Sequence, residues 1–230
     1  MTAAGRADVG VDPGGGGGVD AAHDPGGAGL DGRRPGRGRP PRYSRDELIE
    51  RVVAVFNERG YEATSMEDLA RATGLNKSSF YHHFSGKEEL LGLAAGRALD
   101  ALAAVLAEPG AQHGPPARRL EHVVRRTAEV LLAELPYVTL LLRVRGNTKV
   151  ERDALRRRRD LDTQVAAMVR AAAEAGEIRP DVDPRLATRL MFGMVNSITE
   201  WYRPGVRPSS RTDVVNAVVA IAMHGLAVKD

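Results

Sequence analysis

The stretch from Thr64 to Glu89, TSMEDLARATGLNKSSFYHHFSGKEE, constrains this chain more than any other. Its spacing predicts two short helices around a tight turn, with a third following at once. Thr64 or Ser65 can cap the first helix, a hydroxyl accepting a backbone N–H at its start. Glu67 or Asp68 suits the positive end of the helix dipole. Met66, Leu69 and Ala70 fall at helical spacing and give the helix one apolar side. Gly74 stops it, because a glycine takes the left-handed conformation that a sharp reversal needs. Asn76 then caps the second helix, Lys77 to Phe84. Phe80 and Phe84 lie four apart and face inward. Lys77, Ser78, Ser79, Tyr81 and His82 are left outward. An ammonium, two hydroxyls, a phenol and an imidazole suit phosphates and base edges in a groove. Ser85 with Glu88 reads as a capping box for the next helix, which places Lys87 near the phosphates.

Helical hairpins with a glycine turn are common in proteins that never touch DNA. The residue string separates this one from them. Phe56-Asn57-Glu58-Arg59-Gly60-Tyr61, the run Thr64 to Ala70, the run Gly74 to Phe84 and Lys87-Glu88-Glu89-Leu90 agree in type, spacing and order with a known pattern. Together they resemble the DNA-binding domain of the TetR family of bacterial repressors, over roughly residues 44 to 91. Operator contacts are therefore expected from Thr64, Ser65, Asn76, Lys77, Ser78, Ser79, Tyr81, His82 and Lys87. The first helix runs from about Ser44 to Arg59, with Ser44 and Glu47 as its capping box. Leu48, Val52, Val55 and Phe56 form its core-facing stripe, and Gly60 ends it.

Residues 1 to 41 form a separate compositional region. A pure glycine run, Gly14 to Gly18, and Pro13, Pro25, Pro35, Pro40 and Pro41 leave too little apolar surface to offset ordering entropy, so a disordered tail is expected. Its end, Gly36-Arg37-Gly38-Arg39-Pro40, resembles an AT-hook, in which a slim Arg-Gly-Arg segment enters a narrow minor groove. Arg37, Arg39 and Arg42 are the contacts this implies. A basic linker touching phosphates non-specifically is the plainer reading. The domain plan is thus a tail over 1–41, a helix-turn-helix head over 42–90, and a ligand-binding and dimerisation body over 91–230.

The remaining 140 or so residues read as long helices, and no alternating strand pattern occurs, so the fold class is all-α. Helices are expected from Lys87 to about Leu106, Ala117 to Leu135, Tyr137 to Arg145, Thr148 to Ala175, Pro184 to Trp201 and Ser210 to Val228, with a loop over Gly110 to Pro116. Apolar residues make 43% of the chain but aromatics only 4%, so the core must come from Leu, Val, Ala and Met. The chain has no cysteine, which excludes disulfides and thiolate metal sites. No apolar run approaches the roughly 18 to 20 residues needed to cross a bilayer. The N-terminus lacks the apolar core of a signal peptide, so a cytoplasmic protein with no membrane contact is expected. The net charge of +3 gives only a weak lean towards nucleic acid. No nucleophile motif, phosphate loop or metal-ligand set argues for an enzyme, a cofactor or a metal. The adjacent His82 and His83 point to different faces of one helix, which suits His82 to DNA and His83 to packing or capping.

Two stretches carry the expectations for the body. In the last two helices the apolar residues cover more of the circumference than one core contact needs. The first carries Leu186, Leu190, Val195, Ile198 and Trp201. The second carries Val214, Val215, Val218, Ile221, Ala222 and Leu226. A second subunit is the expected cover, with Val195, Ile198, Val214, Val218 and Ile221 as dimer contacts. A two-fold dimer also suits a palindromic DNA site. Residues 137 to 205 resemble, more loosely, the KstR2-like branch of TetR repressors, whose members often sense acyl-CoA thioesters. That resemblance implies a small-molecule effector held by Leu141, Arg145, Met168, Met191, Met194, Asn196 and Ser197. Arginines such as Arg143, Arg145 and Arg156 to Arg159 could meet its phosphates. Plain core for the methionines and a solvated face for the arginines are the alternatives. A DNA-binding regulator or architectural factor with no effector is the alternative for the whole chain.

Overall fold

The computed structural model describes residues 43–206 and 210–226, which hold ten helices and no strand. The expected all-α class stands. The first three helices form a small head. They are α1 (Arg45–Arg59), α2 (Met66–Thr73) and α3 (Lys77–His83). Each starts on its own local cap. Ser44 and Glu47 make a reciprocal box at α1, and Ser65 and Asp68 make one at α2. At α3 the Asn76 side chain accepts from Ser79 N at 2.7 Å. Gly74 takes the left-handed conformation at φ 72°, and Leu75 N closes the turn on Ala70 O at 3.1 Å. The head's core is dense. Leu48, Val52, Phe56, Leu69, Phe80 and Phe84 are all fully buried, with the rings of Phe80 and Phe84 5.4 Å apart.

Helix α4 (Lys87–Ala107) leaves the head and enters the body without a break. Two expectations fail here. Its cap is Gly86, which offers no side chain, and Glu89 rather than Glu88 reaches back. The Glu89 carboxylate accepts from Ser85 N at 2.6 Å and from Ser85 Oγ at 2.8 Å. The helix is also long and apolar enough, by length and composition, to cross a bilayer. It is apolar because its neighbours α1, α6, α7 and α8 surround it, and Leu90, Leu91, Ala94, Ala98, Leu99 and Val105 are buried between them. At about 1.5 Å per residue it spans roughly 30 Å, enough to touch both head and body.

The body continues with α5 (Pro109–Gln112), α6 (Pro116–Ala133), α7 (Leu135–Leu142), α8 (Lys149–Glu174), α9 (Pro184–Trp201) and α10 (Arg211–Leu226). The loop expected after Pro109 holds one helical turn. Pro109 suits its first position, and Ala111 anchors it in the core. Helix α7 begins one residue before Pro136, which occupies its first turn. The front of α8 is fastened by Thr148 and the buried Glu151, whose carboxylate accepts from Thr148 N and Arg145 N. Helix α10 packs against α6 and α8 packs against α9.

Besides α4, a second link ties head to body. The Asn57 side chain donates to Pro136 O at 2.8 Å, and Arg143 donates to Asn57 O at 2.6 Å. Arg97 of α4 pairs with Glu134 at 2.7 Å and lies over the Tyr137 ring. Helix α7 is thereby bolted to α1 and α4 together.

Candidate functional site

The turn at Gly74 and the two buried phenylalanines decide which side of α3 faces out. Lys77, Ser78, Tyr81 and His82 are exposed, and none of their side chains is in a hydrogen bond or ion pair among the described residues. Their donors and acceptors are free for a phosphate or a base edge. His83, expected to pack or cap, is exposed as well and only flanks Phe84.

The other five expected contacts are engaged within the protein through a side chain or a backbone N–H. Thr64 is 2% exposed and its hydroxyl donates to Gly60 O at 2.7 Å, so it cannot meet DNA from there. Ser65, Asn76 and Ser79 lie at helix starts, where the Ser65 and Asn76 side chains and the Ser79 N–H are engaged in capping. Lys87 points back into the protein. Its Nζ donates to Tyr61 O at 2.9 Å and Glu62 O at 3.3 Å, and lies over the Tyr61 ring. Tyr61 is pushed up to about 12 by burial first and then by nearby Glu88, Glu62 and Glu151. Lys87 thus fastens the α1–α2 loop onto α4. Arg37, Arg39 and Arg42 lie outside the described residues.

A second site lies in the body. Leu102 and Leu106 of α4, Val123 and Leu131 of α6, and Val138 and Leu141 of α7 surround a small apolar chamber of about 50 Å³. At about 10 to 15 Å³ per water-sized probe it has room for a short apolar group. Its floor is α8 and α9, through Leu161, Val165 and Phe192. Arg158, Asp162, Phe192 and Asn196 line this chamber and also an open cleft of about 600 Å³ between α8 and α9. Arg159, Arg185 and Arg189 complete the cationic side of that cleft. None of its four arginines is in an ion pair among the described residues, whereas Arg156 is bound to Asp153 and Arg157 to Asp100. Asp162 is the throat's one carboxylate. Burial raises its pKa, and Arg158 and then Arg189 pull it back.

The expected effector residues scatter across this geometry. Leu141 and Asn196 line the chamber. Arg145 does not; it faces another cleft, between the α1–α2 loop and the α7–α8 connection, with Arg59, Tyr61 and Glu151. Met168 lines a shallow groove behind Leu106. Met191 is buried core, Met194 packs against that core, and the exposed Ser197 spends its hydroxyl on Met194 O. The chamber's polar residues Thr127 and Asp162 and its gate Phe192 were missed, along with Arg185 and Arg189. The i, i+4 spacing of Arg158 with Asp162 and of Arg185 with Arg189 marks a shared helix face in each case, but nothing local says the two faces meet.

The dimer residues need a similar correction. Val195, Ile198, Val214 and Val218 are buried within one protomer, because α10 closes on α6 and α9. Large apolar side chains left outside are Leu186, Leu190 and Trp201 of α9, at 50%, 62% and 54% exposure, and Ile221 of α10 at 64%. Ala217 and Ala220 accompany Ile221 on the open side of α10. An exposed apolar face of this kind marks an interaction surface. Among the described residues no group of three or more His, Cys, Asp or Glu could hold a metal ion.

A capped helix-turn-helix head, a polar outward face on its second short helix and a helical body with an internal chamber define a helix-turn-helix DNA-binding regulator. Comparison with known proteins agrees at both ends. Residues 48–94 match the family described as bacterial regulatory proteins, tetR family, and residues 113–226 match a tetracyclin repressor-like C-terminal domain. A curated relative is the HTH-type transcriptional repressor KstR2 of Mycobacterium tuberculosis, 29% identical over 79% of this chain and 92% of its own length. The crystal structure of SCO3833, a TetR transcriptional regulator family member from Streptomyces coelicolor, is 58% identical with a TM-score of 0.74. It covers 79% of this chain and 91% of its own. AibR, solved in complex with isovaleryl coenzyme A and operator DNA, shares the fold at 23% identity and a TM-score of 0.67, over 77% of this chain and 96% of its own. The chain belongs to the TetR family of transcriptional regulators.

Proposed function

We propose that this protein is a homodimeric repressor, released from a palindromic operator by an acyl-CoA-type effector with a small apolar end. The observation that carries the effector class is the throat: an apolar chamber opening directly onto a cleft with four unpaired arginines. A short acyl group fits the first, and the phosphates of coenzyme A suit the second. The shared fold with AibR says only that such a body can hold such a ligand. The ligand residues in this reading are Leu141 and Asn196 with Arg158, Asp162, Arg185 and Arg189.

Helices α4 and α7 carry the coupling. Leu102 and Leu106 of α4 wall the chamber, while Lys87 at its other end holds the α1–α2 loop. Val138 and Leu141 of α7 wall it too, while Pro136 and Arg143 hold Asn57 of α1. A ligand that fits the chamber better in one setting of these helices shifts the population towards that setting. In a dimer that moves the two α3 helices out of register with successive major grooves. Leu186, Leu190, Trp201 and Ile221 are the dimer contacts in this reading, and Lys77, Ser78, Tyr81 and His82 the DNA contacts.

The test uses the full-length chain and a site selected from random duplexes. Fluorescence anisotropy should show tight, salt-dependent binding that isovaleryl-coenzyme A weakens and free coenzyme A does not. Binding untouched by any acyl-CoA sinks the effector reading and leaves a regulator without one. A monomer in light scattering at micromolar concentration sinks the dimer.

A further inference from the structure

Asp162 is out of place in a site for an anion. Four arginines invite phosphate or carboxylate, yet a carboxylate stands among them where the chamber meets the cleft. It lines both the chamber and the cleft, with Phe192 and Asn196 across from it on α9. Two other acids, Asp153 of α8 and Asp100 of α4, are engaged in ion pairs with Arg156 and Arg157. Asp162 accepts no hydrogen bond and forms no ion pair within 4 Å among the described residues, although Arg158 and Arg189 are the charges it feels. A partly buried carboxylate left without a partner is a cost that a purely structural residue would not need to carry.

We propose that Asp162 is a specificity residue, which makes the throat accept an acyl thioester and reject the corresponding free carboxylic acid. The inference rests on the acyl-CoA reading above. A short acid with its tail in the chamber must leave its own carboxylate at the throat. There it meets Asp162 before it can reach the arginines, and two like charges at that range in a partly desolvated site repel strongly. A thioester puts an uncharged carbonyl in the same place, where the Asn196 amide can donate to it. The linking arm of coenzyme A brings amide N–H groups, and an ionised carboxylate is the acceptor they need. The polyphosphate then lies further out, against Arg159 and Arg185. The arrangement answers a physical problem. Inside a cell the thioester and its hydrolysis product share the same acyl shape, so the chamber alone cannot separate them.

Asp162→Asn tests this, because it keeps size and hydrogen bonding and removes only the charge. Isothermal titration of the full-length protein would compare isovaleryl-coenzyme A with isovalerate, in wild type, Asp162→Asn and Asp162→Glu. In the Asn variant, isovalerate should bind roughly tenfold to a hundredfold more tightly than in wild type. The coenzyme A ester should bind up to about tenfold more weakly, since the neutral amide oxygen of Asn is a poorer acceptor for the arm, so the two affinities move in opposite directions. Asp162→Glu, with its charge kept, should still reject the acid. An Asn variant that melts as wild type does but leaves the ratio of ester to acid affinity unchanged overturns the proposal. So does a parallel loss of both ligands. Wild type failing to bind any acyl-CoA is a separate result, and it overturns the underlying reading instead.

Discussion

The head and the body of this protein are built on different terms. The head closes on itself. Phe56, Phe80 and Phe84 fill its core and each helix carries a cap within three residues of its start. The body encloses space. Four helices lend leucines and valines to the wall of a chamber, and a fifth lends Phe192 and Asn196. A dense core holds one geometry, and a lined chamber holds one that a ligand can bias. This difference is what the proposed role, a sensor joined to a rigid reader, would require.

Truncation gives the largest contrast. Phe80→Ala should cost about 3 to 5 kcal/mol, since the ring is fully buried in the head's core beside Phe84. Leu141→Ala, equally buried but at the chamber wall, should fall at the low end of the usual ~2 to 5 kcal/mol, because its side chain already lacks partners on one side. Urea unfolding of both variants measures the pair. Equal costs would mean that the chamber wall is as tightly packed as the head.

The two regions also differ in how readable they are. Ser44 with Glu47, Ser65 with Asp68, and Asn76 are signals three residues long, so the head's helices could be placed from sequence. The cap of α4 was misplaced by one residue because two glutamates compete there, and the winner is set by geometry at Gly86. The body's site needs α8 and α9 to meet. Asp162 and Arg189 are far apart in the chain, and only the packed fold makes them neighbours. The dimer face failed for the same reason. Leu190 and Val195 are both apolar but lie about 140° apart around α9, and only the packing of α9 against α8 and α6 shows that Val195 goes in and Leu190 stays out. Lys87 looked like a phosphate contact until its partners, Tyr61 O and Glu62 O, came into view.

Lys77 on the outer face of α3 and Lys87 at the start of α4 give the next test. Lys77→Ala should leave stability unchanged, weaken operator binding, and lower the salt slope by about one. Lys87→Ala should leave the slope unchanged and destabilise the protein by about 1 kcal/mol, since a part-buried carbonyl of Tyr61 and an exposed one of Glu62 lose a charged donor. Anisotropy across a salt series, with a thermal melt of each variant, separates them. A slope that falls for Lys87→Ala returns that residue to the DNA.

Smaller again is the cap of the reading helix. Asn76→Ala should cost about 1 kcal/mol, because it strands the Ser79 N–H at the start of α3. The loss should be felt in operator affinity as well as in the melt, since a frayed α3 must be reordered on DNA. A variant less stable but with full affinity would show that DNA restores the first turn at no cost.

The smallest effect concerns acid, and its sign differs between the two regions. Hydrogen bonds from Ser65 hold Asp68 below the usual carboxylate range, and those from Ser85 do the same for Glu89. A depressed folded value stabilises the protein above the ordinary carboxylate range, and that stability is lost as pH falls through the folded value. Asp162 runs the other way. Its raised value means the folded state holds its proton more readily, so its contribution grows as pH falls and is lost as pH rises through the folded value. Ser65→Ala should therefore flatten the acid side of the stability curve, and Asp162→Asn should steepen it while raising stability near neutrality. Urea midpoints from pH 3 to pH 7 measure both. If Asp162→Asn flattened the curve instead, Asp162 would be stabilised as a carboxylate by Arg158 and Arg189. The throat would then be a closed ion pair, with no free charge to turn an acid away.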